Sequence, residues 1–323
     1  MDVTNVGLDS ARIAGAARVI DPIFLNSPQF VDEQLCAALG RQVLVKVETV
    51  NPIGSFKGRG ADLLVRRLAR ECAPGRTVVC TSSGNFGQAV AYAGRAYGFG
   101  VRVFVAPDVN AAKRARMELF GATVTIVDGD GAAAEQALSH HVAAHPDDVL
   151  IDGTEPEVAE GAGTIGIELL AAGQPDTVVV PVGSGALITG VARWIKEYAP
   201  ETRVIGVCPQ GAPAIADSWR AGRPVSSDVD TIAEGIASWT PAPEIVARMQ
   251  ALVDDVVLVS DAEILAATRL VARTLGLLIE PSGAAGVAAI ARHDVSGRTF
   301  ATILTGAGPK PEILDQILAV DPT

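Results

Sequence analysis

The sequence predicts an α/β protein whose mostly parallel sheets are flanked by helices. Apolar, β-branched runs of strand length alternate along the chain with amphipathic runs of helical period. This regular alternation is typical of parallel sheets, in which each helix carries the chain between strands that run in one direction. At 323 residues, the chain can bury a large core and is near the size at which one core divides into two domains.

Strands and helices are predicted in order along the chain. Strands rich in valine, isoleucine and threonine are predicted at 43–47, 77–80, 101–105, 123–127, 177–180, 203–207 and 300–304. Helices are predicted at 61–70, 89–97, 111–120, 191–196, 261–273 and from Pro281 onward. Gly121 is placed to end the third of these helices, and Asp261 is predicted as the N-cap of the fifth.

Composition restricts the possible partners and the location. A net charge of −11 argues against general affinity for nucleic acid or anionic membrane, since both require basic patches. Four scattered cysteines without a C-x-x-C pair fit reduced thiols better than a disulfide framework. The N-terminus has no signal-peptide pattern, and no apolar run reaches transmembrane length. We therefore expect a cytoplasmic protein without a membrane partner.

One lysine stands at a strand-to-helix junction. Residues 51–60 read Asn-Pro-Ile-Gly-Ser-Phe-Lys-Gly-Arg-Gly, which places Lys57 behind a tight turn and ahead of a helical run. A lysine at such a junction can be partly desolvated, and its pKa then falls, so that the neutral amine attacks an aldehyde. Taken alone, this is weak evidence, because most lysines are ordinary solvated surface charges.

Further polar segments follow predicted strands. Residues 81–88 and 181–190 are turns rich in glycine and hydroxyl side chains, which suits them to binding an anion through backbone N–H groups. The second turn lacks the Gly-Lys-Ser/Thr of a nucleotide P-loop, and ordinary helix capping or close packing is an alternative for both. Thr305 ends the last strand, and Glu280 precedes a helix. Ligands bind at the carboxyl ends of such strands, so these segments are expected to meet there.

Together these motifs resemble the fold-type II pyridoxal-phosphate enzymes, in the branch of threonine dehydratase and serine racemase. The resemblance is carried, in the order seen in that family, by residues 55–57, 82–85, 183–187, 280–283 and 305–306. It implies a fold like that of the tryptophan synthase β chain, with two domains around a cofactor cleft. The smaller, mobile domain would cover residues 52–149, and the large cofactor-binding domain would combine residues 1–51 and 150–323.

The resemblance implies a role for each matched residue. Lys57 would bind pyridoxal 5'-phosphate as a Schiff base and later remove the substrate Cα proton. The phosphate would be held by the backbone of Gly183, Ser184, Gly185, Ala186 and Leu187, where relatives often have glycine at positions 184 and 186. Further cofactor contacts would come from Phe56, Asn85, Glu280 and Thr305. The substrate carboxylate would bind Ser82, Ser83, Gly84 and Asn85, and Ser83 matches the acid/base of serine racemases.

These roles favour an elimination reaction. A neutral Thr305 hydroxyl facing the pyridine nitrogen does not stabilise a protonated ring, so a carbanion expels a β-leaving group more readily. The expected reaction converts a small β-hydroxy amino acid, such as L-threonine or L-serine, to a 2-oxo acid and ammonia. The alternatives are β-replacement as in cysteine synthase, racemisation, dehydration of 3-hydroxyaspartate, and a non-catalytic binding protein with the same fold.

The sequence departs from its relatives at several positions. Phe86 stands where many relatives have histidine. Cys208 stands where relatives with a divalent-metal site carry a carboxylate, and a thiol is a poor ligand for a hard cation, so no metal is expected. The sequence ends soon after Leu318, which predicts that no C-terminal regulatory domain is present. The resemblance also implies a homodimer that acts on a small amino acid.

Overall fold

The computed structural model describes residues 7–82, 84–292 and 295–319, which form ten strands and thirteen α-helices. The strands are β1 (Gln29–Val31), β2 (Gln42–Val47), β3 (Thr77–Thr81), β4 (Gly100–Val105), β5 (Thr123–Ile126), β6 (Val149–Leu150), β7 (Thr177–Pro181), β8 (Arg203–Pro209), β9 (Asp255–Val259) and β10 (Thr299–Leu304). The helices are α1 (Ser10–Ala16), α2 (Glu33–Leu39), α3 (Lys57–Glu71), α4 (Asn85–Tyr97), α5 (Ala111–Leu119), α6 (Gly131–Ala144), α7 (Pro156–Ala172), α8 (Ala186–Tyr198), α9 (Ala214–Ala221), α10 (Pro243–Leu252), α11 (Asp261–Leu275), α12 (Pro281–Arg292) and α13 (Pro311–Leu318).

The strands form two sheets. One has six strands in the order β1-β2-β10-β7-β8-β9, and the other has four in the order β5-β4-β3-β6. Neighbouring strands are parallel, except that β1 pairs with β2 in antiparallel fashion at one edge. The six-stranded sheet takes strands from both ends of the chain, and the four-stranded sheet takes those between residues 77 and 150. The predicted α/β class with mostly parallel sheets is confirmed.

All seven predicted strands are present, with ends that differ by no more than two residues. Strands β1, β6 and β9 were not predicted. β1 and β6 contain three and two residues, which is too short to show an alternating pattern. β9 carries the same valine-rich pattern as the predicted strands and was overlooked.

Side chains define the helix ends. The N-cap of α11 is Ser260 rather than Asp261, so that prediction was wrong. Ser260 Oγ accepts a hydrogen bond from the Glu263 N–H, and the Glu263 carboxylate accepts one from the Ser260 N–H, a reciprocal capping box. The Asp261 carboxylate instead accepts a hydrogen bond from the Ile232 N–H. Gly121 follows α5 with φ +91°, as predicted for a residue that ends a helix.

The apolar core is divided between the two sheets. One cluster of buried side chains lies between the four-stranded sheet and its helices, and two others cover the faces of the six-stranded sheet. Along β7, Val179 joins one of these two clusters, while Val178 and Val180 join the other. Such a strand is buried on both faces, which explains its continuous apolar sequence. No helix in the described part of the chain is both long and apolar enough to cross a membrane.

Helix α7 connects the two sheet layers, because it packs against α3 on one side and α8 on the other. Glycines allow these helices to approach closely. A Cβ added at Gly60 would lie 2.6 Å from the Val158 carbonyl oxygen, and one at Gly190 would lie 1.9 Å from that of Ala159. The position of α3, and of Lys57 at its first residue, is therefore set by backbone packing against α7.

Candidate active site

Polar residues from several separate segments line one cavity of about 250 Å³. The cavity lies beyond the carboxyl ends of β3, β7 and β10, where open α/β sheets bind ligands. The predicted site residues that line it are Phe56, Lys57, Ser82, Gly84, Asn85, Gly183, Ser184, Gly185, Leu187, Glu280 and Thr305. Ala186 is buried beside this lining, and Ser83 lies outside the described residues.

The amine of Lys57 lies at the wall of this cavity. Its Nζ is 3.4 Å from Ser184 Oγ and 5.0 Å from the ring centroid of Phe56. Loss of hydration lowers the pKa of Lys57 to about 8, against an opposing attraction from the Glu280 carboxylate. More of the neutral amine, the form that attacks an aldehyde, is therefore present near neutral pH than for an ordinary lysine.

The turn before Lys57 is held by its own side chains and by the segment after β10. Asn51 Nδ2 donates to the Ser55 carbonyl oxygen at 3.1 Å. The Phe56 N–H donates to the Thr305 carbonyl oxygen at 3.2 Å. The residue before Lys57 is thereby hydrogen-bonded to Thr305, which lines the same cavity.

A buried ionic cluster anchors the first turn of α3. The Arg59 guanidinium donates two hydrogen bonds to Glu48, two to Glu168 and one to Thr164. Lys46 adds a second cation against Glu168. Arg59, Lys46 and Glu48 are fully buried. Because two cations face two carboxylates, the cluster is neutral and each of its charges has a partner.

A lysine that was not predicted, Lys113, completes one wall of the cavity. Its Nζ lies 2.6 Å from Glu280 Oε2. Asn85 Nδ2 donates to Glu280 Oε1 at 2.8 Å, and Gln88 Nε2 donates to Asn85 Oδ1 at 3.0 Å. Four side chains therefore form one continuous hydrogen-bonded chain. A single lysine inside a helix carries no motif, and the signal that could have revealed it is that a buried Glu280 needs a cation.

The turn between β7 and α8 has the geometry of an anion site. Gly185 is the N-cap of α8 with φ +85°, and no side chain among the residues that the structure describes caps the N–H groups of the first turn. A Cβ added at Gly183 would lie 2.6 Å from the Gly235 carbonyl oxygen, so the backbone of residues 234–236 packs directly against this turn. A helix end suited to an anion and a desolvated lysine in one cavity fit the cofactor that the resemblance implies.

Two further cavity residues lie at the start of α4, Ser82 in the turn before the helix and Phe86 in its first turn. Ser82 Oγ accepts hydrogen bonds from the Gly87 N–H at 2.9 Å and the Gly84 N–H at 3.3 Å, so this side chain also stabilises the turn. Phe86 places its ring centroid 5.8 Å from Lys57 Nζ. An apolar ring therefore covers the amine and contributes to its loss of hydration.

The opposite wall comes from the short 3₁₀ turn Glu234–Ile236, for which no role was predicted. The Gly235 N–H donates to Ser282 Oγ at 2.8 Å, which joins this turn to the first residues of α12. Thr305, only 5% exposed, lies in the same wall. In sequence, Gly235 lies between the 183–187 and 280–283 motifs, and the fold brings it to the cavity.

Cys208 is buried in β8, and burial raises the pKa of its thiol to about 12. Its Sγ lies 3.9 Å from the Val182 carbonyl oxygen. Residues 7–82, 84–292 and 295–319 contain no group of three or more His, Cys, Asp or Glu side chains that could hold a metal ion. Because the pKa of its thiol is raised, Cys208 stays protonated and neutral at ordinary pH.

Comparison with known proteins identifies the family. Residues 25–306 match the model of the family described as pyridoxal-phosphate dependent enzyme. The chain is 34% identical over 314 residues to the L-threonine dehydratase biosynthetic IlvA of Mycobacterium leprae, covering 93% of this chain and 72% of that protein. The crystal structure of T.th. threonine deaminase has a TM-score of 0.86 at 30% identity and covers 93% of this chain and 98% of its own. Maize serine racemase has a TM-score of 0.88 at 28% identity and covers 96% of each chain.

Fold, cavity and similarities together define an α/β enzyme that uses pyridoxal phosphate. The chain belongs to the pyridoxal-phosphate dependent enzyme family, and its resemblance to the threonine dehydratase and serine racemase branch of fold type II is confirmed. The predicted cofactor is likewise confirmed by membership of this family.

Proposed function

We propose that this enzyme is an ammonia-lyase that converts a small β-hydroxy amino acid, such as L-threonine or L-serine, to a 2-oxo acid and ammonia. The observation that carries the proposal is the presence, in one cavity, of a partly neutral Lys57 amine and a neutral Thr305 hydroxyl. The similarity to proteins named threonine dehydratase and threonine deaminase supports the same reaction.

Bound pyridoxal phosphate supplies an aldehyde that condenses with amines and a conjugated ring that withdraws electrons from the substrate Cα. Lys57 Nζ would take the Cα proton, because its lowered pKa makes it a suitable base near neutral pH. The electron pair left on Cα would form the Cα–Cβ double bond as the Cβ–O bond breaks, and the hydroxyl would leave as water, which in net carries away the proton removed from Cα. The released enamine tautomerises and hydrolyses in solution, which gives the 2-oxo acid and ammonia.

The other cavity residues would orient the reacting groups. Residues 183–187 would hold the phosphate through N–H groups at the start of α8. The substrate carboxylate would bind residues 82–85, with Ser83 as a second acid/base group. Phe56, Asn85 and Glu280 would contact the cofactor ring. This arrangement would hold the substrate Cα next to Lys57 Nζ, which is the requirement for efficient proton transfer.

Thr305 is proposed to set the choice between reactions. A carboxylate beside the pyridine nitrogen would favour a protonated ring, which stores negative charge and prolongs the life of the carbanion. A hydroxyl carries no such charge, so electrons are more readily used to expel the β-hydroxyl. This is the physical reason to prefer elimination to transamination.

The test is 2-oxo acid release by the purified, cofactor-loaded enzyme from L-threonine, L-serine, D-serine and threo-3-hydroxyaspartate. We expect rapid release from L-threonine or L-serine and its loss in the Lys57→Ala variant, which lacks both the amine and the base. Release by Lys57→Ala at the rate of the unaltered enzyme would refute the role of Lys57. Inversion of serine without 2-oxo acid would favour a racemase, and product formation only with an added thiol would favour β-replacement.

We further propose that residues 52–149 form a smaller domain that closes on a larger one made of residues 1–51 and 150–323. The support is that β3 to β6 form their own sheet between residues 77 and 150.

We also propose a cytoplasmic homodimer. Four free thiols suit a reducing compartment, and apolar side chains that are more than half exposed could be covered by a second copy, such as Val50, Leu119 and Tyr198. Sedimentation equilibrium would test the dimer.

A further inference from the structure

One ion pair joins the two sheet layers at the cavity. Lys113 lies in the first turn of α5, which packs against β5 of the four-stranded sheet. Glu280 immediately precedes α12, which packs against the six-stranded sheet. Lys113 Nζ and Glu280 Oε2 are 2.6 Å apart, and the two side chains are 10% and 7% exposed. A buried charge without a partner is costly, so each of these groups holds the other in place.

The backbone of Lys113 is fixed by the N-cap of α5. Asn110 Oδ1 accepts hydrogen bonds from the Ala112 N–H at 3.0 Å and the Lys113 N–H at 3.4 Å. Asn110 Nδ2 also donates to the Gly308 carbonyl oxygen at 3.5 Å. The start of α5 therefore contacts the segment after β10 independently of the ion pair.

Glu280 is held just as closely on its other side. Its Oε1 accepts the hydrogen bond from Asn85, and its backbone N–H donates to the Gly306 carbonyl oxygen at 3.0 Å. A Cβ added at Gly306 would lie 2.2 Å from Glu280 Oε1, which shows how closely the carboxylate approaches the backbone. The carboxylate is therefore clamped between Lys113, Asn85 and the glycine.

The same carboxylate acts on Lys57. Glu280 is the charged side chain whose attraction opposes the lowering of the pKa of Lys57. Lys113 is positively charged and lies beside that carboxylate, so its charge partly offsets the attraction between Glu280 and the Lys57 amine. Another charged group on the cavity wall, Glu234, pairs with Lys310. Glu280 is thus the charged group that acts on the Lys57 amine, and Lys113 lies against its carboxylate.

We propose that Lys113 is a positioning residue for the cofactor. Its ammonium group holds Glu280, and through Glu280 the Asn85 amide, against the bound ring, and it fastens the two sheet layers together across the cavity. This inference rests on the proposed placement of the cofactor in the cavity, and it does not depend on which amino acid is the substrate.

The two partners of the pair should have opposite effects on Lys57. Lys113→Met leaves the Glu280 carboxylate uncompensated, which favours the protonated amine and raises the pKa of Lys57. Glu280→Gln removes the carboxylate, which favours the neutral amine and lowers that pKa. A pair that only supported the fold would instead shift the pKa in the same direction in both variants, because either change would loosen the same wall.

The experiment follows the rate at which the cofactor-free, full-length protein captures pyridoxal phosphate between about pH 6 and about pH 10. We expect the capture rate of the unaltered protein to rise with pH and to reach half of its maximum near pH 8, which is the midpoint of the profile. It should move upward by on the order of one pH unit in Lys113→Met and downward in Glu280→Gln. The dissociation constant for pyridoxal phosphate should rise about tenfold or more in both variants and change much less in Lys113→Arg, which keeps the charge.

Lys196→Met is the matched control, because Lys196 Nζ also pairs with a carboxylate, that of Asp254 at 2.7 Å, away from the cavity. It should change neither the midpoint nor the dissociation constant, and circular dichroism checks that every variant folds. The proposal would be overturned if the midpoint moved in the same direction in Lys113→Met and Glu280→Gln. It would also be overturned if the dissociation constant for pyridoxal phosphate were unchanged in these variants. Since no substrate is used, these outcomes are independent of whether the enzyme eliminates, replaces or racemises.

Discussion

The lowered pKa of Lys57 follows from its place at the start of α3, on the wall of the cavity. The Ser-Phe-Lys sequence after a tight turn predicted a partly desolvated lysine, and the structure supplies the cause: two aromatic rings near the amine and a cavity wall around it. The sequence could not reveal the opposing contribution of Glu280, because these residues are more than two hundred positions apart. Local sequence thus predicted the position of the amine, and tertiary structure sets its pKa.

Thr305 leads to a prediction at the scale of one residue. Replacement by aspartate places a carboxylate where the pyridine nitrogen is proposed to lie, and a protonated ring should then retain electrons that would otherwise expel the β-hydroxyl. We expect Thr305→Asp to lower kcat for 2-oxo acid release by roughly tenfold or more, equivalent to about 1.4 kcal/mol in the barrier. Steady-state kinetics with L-threonine and L-serine measure the effect.

Thr305→Ser is the control for this change, since it keeps a neutral hydroxyl at the same backbone position. It should stay within a few-fold of the unaltered enzyme. An aspartate variant that eliminates as fast as the serine variant would show that the group at position 305 does not determine the reaction.

The sequence revealed the residues that occur in ordered motifs and missed those that complete the cavity alone. Lys113 was overlooked because one lysine in a helix has the pattern of a solvated charge. Gly235 was overlooked because its importance comes from backbone contact with Gly183, which a sequence does not display. Ser83 was predicted to bind substrate and to act as an acid or base, and these roles remain predictions.

At the scale of the helix, the cluster around Arg59 explains how α3 keeps Lys57 in place. Arg59→Met would remove the hydrogen bonds of the guanidinium and leave Glu48 and Glu168 with Lys46 as their remaining cation in the cluster. We expect the free energy of unfolding to fall by roughly 3–5 kcal/mol, the usual cost of breaking a buried charge cluster on one side. Urea unfolding of the cofactor-free protein measures this loss.

Arg67→Met is the control on the same helix. Arg67 is 35% exposed and pairs with Glu71 one turn away and with Glu157 of α7, so its loss should cost about 1 kcal/mol or less for each of these partly exposed pairs. If Arg59→Met and Arg67→Met destabilise the protein equally, the buried cluster is not what anchors α3.

Strands and helix ends were predicted correctly where the local sequence pattern determines them, and less well where contacts with other parts of the chain determine them. The seven long strands followed from their valine-rich runs, whereas β1 exists only because three residues pair with an edge of the six-stranded sheet. The cap of α11 was misplaced by one residue, because Ser260 is favoured by its reciprocal bond with Glu263. The crossing of α3 and α7 depends on Gly60 and Gly161, whose contact appears only in the fold.

At the scale of the whole molecule, the cavity is assembled from segments spread between residues 56 and 305. The parallel sheets bring these segments together, because polar residues that follow parallel strands emerge at the same edge. The α/β class and the common edge were therefore predictable from strand–turn–helix order. The division at residues 52–149 remains a prediction that rests on resemblance and on the separate four-stranded sheet.

The central claim is that Lys57 is the residue that binds pyridoxal phosphate, and it can be tested chemically. Borohydride reduction of the holoenzyme makes the lysine–cofactor bond permanent, and peptide mass spectrometry then locates the modified lysine. The account predicts a single modification, on the peptide that contains Lys57, and none on Lys113, the other lysine beside Lys57 in the cavity lining. Modification of Lys113 or of any lysine other than Lys57 would contradict it.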